Sequence, residues 1–149
     1  MEVLALKGAA FVGQTCFMSI IYDVYGLVKD NTINNPAVNN VLLDLDLTAE
    51  LEIIESLATS LEENRKCHAS PLIRIALNHV EENITLIKKE LEQIKQITHD
   101  HQYKWFANWR SPSYDQNLKN LRRLKKNLDC RVTRLIEVMK IKTFSNTSK

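Results

Sequence analysis

"PLIRIALNHVEENITLIKKELEQIKQIT", Pro71 to Thr98, decides the fold class. Its apolar residues Ile73, Leu77, Val80, Ile84, Ile87, Leu91 and Ile94 recur at spacings of 4, 3, 4, 3, 4 and 3. That is an unbroken heptad seam, the pattern of an amphipathic helix that buries one face. Glu81, Glu82, Lys88, Lys89, Glu90, Glu92 and Lys95 occupy the other faces. Ser70 is placed to cap this helix, and Pro71 sits at N1, where its missing N–H costs nothing.

Working outward, a second helix of similar length is expected over about residues 112–142, with Leu118, Leu121, Leu124, Leu128, Val132, Leu135 and Met139 as its stripe. It is expected to lie antiparallel to the first, the connection HDHQYKWFANWR capping one end of a bundle. Upstream, past the breaker DNTINNP, Leu51, Ile54, Leu57 and Leu61 repeat at helical spacing within a segment over about 37–64. That segment has no Lys or Arg between Ala37 and Asn64, and Asp44 and Asp46 mark a break inside it. The first helix, about 2–29, has no wide polar face, which fits either a central bundle position or entry into lipid. All three glycines (Gly8, Gly13 and Gly26) fall in it, each costing about 1 kcal/mol relative to alanine; close approach of a neighbouring backbone is their simplest benefit. The expected fold is therefore all-α, an antiparallel four-helix bundle over residues 1–142, with 143–149 a polar tail or linker.

Few glycines and prolines disfavour a turn-rich β fold, and 149 residues suffice for one domain with its own core. The net charge of +2 hides an asymmetry. Residues 1–98 carry 8 Lys/Arg and 14 Asp/Glu, a balance of −6; residues 99–149 carry 12 and 4, a balance of +8. Either the two parts pack together with complementary charge, or the basic part faces an anionic partner. Cys16, Cys67 and Cys130, odd in number and widely spaced, point to reduced thiols inside a cell. Asn83-Ile84-Thr85 and Asn146-Thr147-Ser148 fit a glycosylation pattern that arises often by chance. The uncharged run GAAFVGQTCFMSIIY, residues 8–22, lacks the flanks of a signal peptide. Its 15 residues span about 22 Å, short of a hydrocarbon core of about 30 Å.

Enzyme signatures are missing: no Walker loop, dinucleotide fingerprint, nucleophile elbow or zinc-protease motif is found. Cys67-His68 and His99-x-His101 lack the spacing of a closed zinc site, so no metal or cofactor is expected. Tyr103, Trp105, Phe106, Trp109 and Tyr114 could stack on bases, with Lys104, Arg110, Lys119, Arg122, Arg123, Lys125 and Lys126 tracking phosphates. The aromatics precede the basic run without interleaving with it, which favours a plug at a bundle end and disfavours nucleic acid.

The glycine- and alanine-rich first helix ALKGAAFVGQTCFMSIIYDVYGLV, an acidic helix, the heptad helix LIRIALNHVEENITLIKKELEQI, the turn KWFANW and the basic helix LKNLRRLKKNLDCRVTRLIEVM follow one another in an order that resembles the HeLo-type domains. These head fungal NLR-like cell-death proteins, plant resistance proteins with the related coiled-coil domain, and the animal mixed-lineage-kinase-like pseudokinase. The resemblance runs over about residues 3–141 and rests on layout. It implies a cytoplasmic cell-death effector domain that a regulatory domain of the same or another chain releases. The freed domain then self-associates, is recruited to the plasma membrane, binds anionic phospholipid and permeabilises it. In the plant and fungal members the first helix inserts, a role that maps here to Gly8, Phe11, Val12, Gly13, Phe17, Ile20 and Ile21. In the animal pseudokinase the lipid-binding basic residues lie largely on the early helices, which here are acidic. Lipid contact is therefore assigned from this chain's own charge to Lys119, Arg122, Arg123, Lys125 and Lys126. The alternative is a non-lytic interaction module, an adaptor or inhibitor whose basic helix docks an acidic protein.

Overall fold

The computed structural model describes residues 2–63, 70–102 and 113–147, with side chains for residues 17–33, 35–63, 70–101 and 113–141. Every element among them is helical: α1 (Glu2–Asn34), α2 (Pro36–Leu45), α3 (Leu47–Glu63), α4 (Pro71–Gln102) and α5 (Asp115–Thr147). The fold is all-α.

α1 continues five residues past the expected end at 29, through the polar run that reads as a breaker. Each polar residue there has found a partner compatible with helix: Asp30 pairs with Lys95 at 2.9 Å, Asn31 Nδ2 donates to the Leu91 carbonyl, and Thr32 Oγ1 donates back to the Lys29 carbonyl. Pro36 then enforces the stop, because the residue before a proline is pushed out of the helical region; Asn35 is extended, at φ −146° and ψ 91°. The acidic segment breaks at Asp46, which closes α2 in the left-handed region at φ 50°, its N–H donating to the Leu43 carbonyl. α5 begins at Asp115, later than the expected 112, and runs to Thr147 through what reads as a polar tail, which contains no proline or glycine to stop it. Ser70 does not cap α4 with its side chain: Oγ is buried without a partner among the described residues, and only its carbonyl engages, accepting from Arg74.

Cross-helix pairs give the chain directions. Lys88 bonds Asp23 at 3.0 Å and Lys95 bonds Asp30 at 2.9 Å. Both partners advance by one heptad, so α1 and α4 run parallel. Against α5 the order inverts: Thr98 meets Tyr114, Glu90 meets Asn117 and Asn120, and the His79 carbonyl accepts from Arg131. α4 and α5 are therefore antiparallel. α2 and α3 pack against α1 and α5.

One core joins all five helices. It contains Phe17, Ile21, Val24 and Leu27 of α1, Leu51, Ile54 and Leu61 of α3, Ile73, Val80, Ile84, Ile87, Leu91 and Ile94 of α4, and Leu121, Leu124, Leu128, Val132 and Leu135 of α5. Leu57, Leu77, Leu118 and Met139 border it half-buried. Fully burying each such side chain contributes about 1.5–3 kcal/mol. Asn83 of the glycosylation pattern is 1% exposed, so the folded chain withholds it from any transferase.

Gly26 overturns the close-approach reading at its position: it is exposed, and nothing lies within 4 Å of a Cβ built there. Gly8 and Gly13 lie outside the described side chains. Gly26→Ala should therefore raise stability by about 0.5–1 kcal/mol, the usual gain from removing glycine's excess unfolded-state entropy. A urea titration followed at 222 nm checks this, and a lowered midpoint would contradict it.

Candidate functional site: the outward face of the last helix

The core stripe of α5 defines its opposite face. At about 100° per residue, Lys119, Lys126, Cys130 and Glu137 lie within about 20° of the direction opposite Leu128, with Arg122, Arg123, Arg134 and Lys140 flanking within about 60°. All eight are exposed. Among the described residues, Lys119, Arg122, Arg123, Lys126 and Arg134 take part in no ion pair. The field they project along the helix is positive until Glu137 interrupts it.

Lys125 stands apart from its neighbours in the sequence. It sits to the side of the stripe, only 14% exposed, 2.8 Å from Asp129 and 3.7 Å from Glu50 of α3. This lysine clips α3 to α5 and is withdrawn from the outward face. Its assignment to lipid contact does not fit this arrangement. Conversely, Arg134 and Lys140 extend the face beyond the dense run LKNLRRLKK, and helical periodicity was the signal available to find them.

The insertion residues divide. Phe17 and Ile21 are buried in the core, and Ile20 packs half-buried against it. Gly8, Phe11, Val12 and Gly13 belong to α1 but lie outside the described side chains. Polar contacts hold the same helix to its neighbours. Tyr22 and Tyr25 donate to the two carboxylate oxygens of Glu55 at 3.2 and 3.5 Å. Burial, then the charges of Glu55 and Glu52, push Tyr25 up to about 12, so it stays a donor at any physiological pH. The charge of Glu55 raises Tyr22 as well. Among the described residues no helix is long and apolar enough to cross a membrane.

Tyr114 is buried, its hydroxyl shared with Thr98 and Asn35, so its ring is not presented for stacking. Tyr103, Lys104, Trp105, Phe106, Trp109 and Arg110 lie outside the described residues, as do Cys67 and His68. His99 lies 3.7 Å from the Asp100 carboxylate on exposed surface, and no cluster of three metal-ligating side chains occurs among the described residues. Comparison of the chain with protein-family models, with curated proteins and with solved structures finds no match.

The Glu50 carboxyl is held above its ordinary value of 4.5, first by burial and then by Asp129, with Lys125 opposing. A carboxyl raised in the folded state favours folding while protonated. Its contribution is full below the unfolded pKa and is lost as pH rises through the folded pKa. Glu50→Gln should therefore match the parent near pH 4 and gain on it as pH rises towards 7. Denaturation midpoints of both chains across that range check the sign, and a variant that loses ground with rising pH would contradict it.

Proposed function

We propose that α1, the α2–α3 pair, α4 and α5 form a four-helix bundle, and that this bundle is a membrane-engaging cell-death effector module. In this reading it docks on anionic phospholipid through the outward face of α5. A regulatory domain, on the same chain or another, keeps it in check until release. Released copies self-associate, and α1 then permeabilises the bilayer.

The observation that carries the reading is the uncompensated stripe itself, the five exposed cations Lys119, Arg122, Arg123, Lys126 and Arg134 with no carboxylate partner among the described residues. A polybasic surface of this size gains about 1 kcal/mol per Lys or Arg near an anionic leaflet, enough in sum for stable but salt-sensitive docking. The order of helices, with a glycine-bearing uncharged segment first and the basic helix last, supports the same class. α1 is too short in its uncharged run to span a bilayer alone, so insertion would be shallow or oligomeric and would thin the membrane.

Release of α1 has a physical cost that the reading must meet. Phe17, Ile21, Val24 and Leu27 leave the core only if another apolar environment receives them, and a bilayer is one. Binding and permeabilisation are thus separable steps, the first on α5 and the second on α1.

Reversing Arg122, Arg123 and Lys126 to glutamate should leave the helical spectrum unchanged. Binding to vesicles containing phosphatidylserine should fall by several orders of magnitude at low salt, since three reversals remove at least about 1 kcal/mol each. Co-sedimentation with anionic and neutral vesicles measures it. Undiminished binding by the folded triple variant would refute this use of the face. Contents leakage from the same vesicles separates a lytic module from a non-lytic adaptor.

A further inference from the structure

The outward face of α3 is the electrostatic counterpart of the stripe on α5. Glu52 and Glu63 are exposed there, with Glu62 exposed on its flank, and among the described residues none takes part in an ion pair. The partial negative charge of the helix C-terminus reinforces Glu62 and Glu63. Asp44 of α2 and Asp46, which closes it, are exposed as well. Within one molecule the two faces do not meet, because α3 and α5 touch through their inner sides, where Lys125 reaches Glu50.

The spacing of the two faces also matches. Glu52 and Glu63 are 11 residues apart, as are Arg123 and Arg134, and each interval rises about 16 Å along its helix. Seated antiparallel, α3 of one molecule on α5 of another brings Glu52 to Arg134 and Glu63 to Arg123. The same register places Ser56 opposite Cys130, both exposed and small, so the helices approach closely at the centre of the contact.

We infer that the stripe on α5 docks the acidic α3 face of a second copy of this chain. This rests on the reading of the stripe as an anion-binding surface and adds its regulation. The contact is heterologous, so each molecule offers one stripe and one acidic face, and copies join head to tail into chains or rings. A membrane and a neighbouring molecule compete for the same cations, so this contact belongs to the state away from the membrane, occludes the surface that meets lipid, and is distinct from the self-association of released copies on the bilayer.

Sedimentation velocity on the full chain at about 20 mM and about 500 mM salt tests this, since screening shortens the reach of exposed charges from about 20 Å to about 4 Å. Concentration-dependent association is expected at low salt and its loss at high salt. Glu52→Lys, Glu62→Lys and Glu63→Lys together should weaken association at least tenfold and leave binding to phosphatidylserine vesicles equal or tighter. Mixing this variant with the one reversed at Arg122, Arg123 and Lys126 should restore association that neither shows alone. With Cys16 and Cys67 replaced by serine, Ser56→Cys should give intermolecular disulfides to Cys130 on mild oxidation at low salt. A monomeric parent at every concentration, or an acid-face variant that associates like the parent, would overturn the inference. If association behaves as stated and the parent does not bind vesicles, the membrane reading fails and this one stands.

Discussion

Asn35, Thr98 and Tyr114 close a triangle of hydrogen bonds on which the register of the helices depends. Asn35 Nδ2 lies 2.6 Å from Thr98 Oγ1 and 2.8 Å from the Tyr114 hydroxyl, and the two hydroxyls are 2.7 Å apart. Only one arrangement of protons satisfies all three groups. Thr98 spends its single hydrogen on the Ile94 carbonyl, so it accepts from both Asn35 and Tyr114; Tyr114 in turn accepts from Asn35. The triangle ties the α1–α2 junction to the end of α4 and the start of α5. A buried polar group left without its partner costs about 1–3 kcal/mol, so a slip of one helix by a turn is penalised here as well as in the apolar core.

From that point the two long seams run in opposite senses. α1 follows α4 in parallel, one heptad separating Asp23–Lys88 from Asp30–Lys95, while α5 returns antiparallel along the other side of α4. The exposed ion pairs on α1 are worth about 0–1 kcal/mol each, far less than the buried apolar residues behind them. What holds α1 in place is thus mainly non-directional apolar burial, which a lipid environment can replace, plus a few salt-sensitive clips, which it need not break first. On α5 the two roles are spread over opposite faces, core on one and cations on the other, so charge reversal there disturbs no packing.

Much of this was legible in the amino-acid sequence because helical periodicity is a local property. The seam on α4 and the stripe on α5 read directly from residue spacing, and so did the break between Asp44 and Asp46. Boundaries were less legible, since Asp30, Asn31 and Thr32 look like breakers until Lys95 and the Leu91 carbonyl are placed beside them. Lys125 reads as one more surface cation until α3 brings Glu50 to it, and Tyr114 reads as a stacking ring until Asn35 and Thr98 enclose it. The direct parallel pairing of α1 with α4 is a long-range fact with no local signature. For the candidate site, the dense basic run showed where charge is concentrated, but only the orientation of α5 separates the outward cations from the one spent on an internal clip.

The central claim is that binding lives on α5 and permeabilisation requires α1 to leave α4. Cysteines placed at positions 23 and 88, in a chain whose three native cysteines are replaced, can be joined by a reducible bifunctional crosslinker spanning the site of the Lys88–Asp23 contact. Leakage of phosphatidylserine vesicles is then followed before and after reduction, with vesicle binding measured in parallel. The account predicts that the crosslinked chain binds as well as the reduced one but releases no contents, and that reduction restores leakage. Full leakage from the crosslinked chain would contradict it.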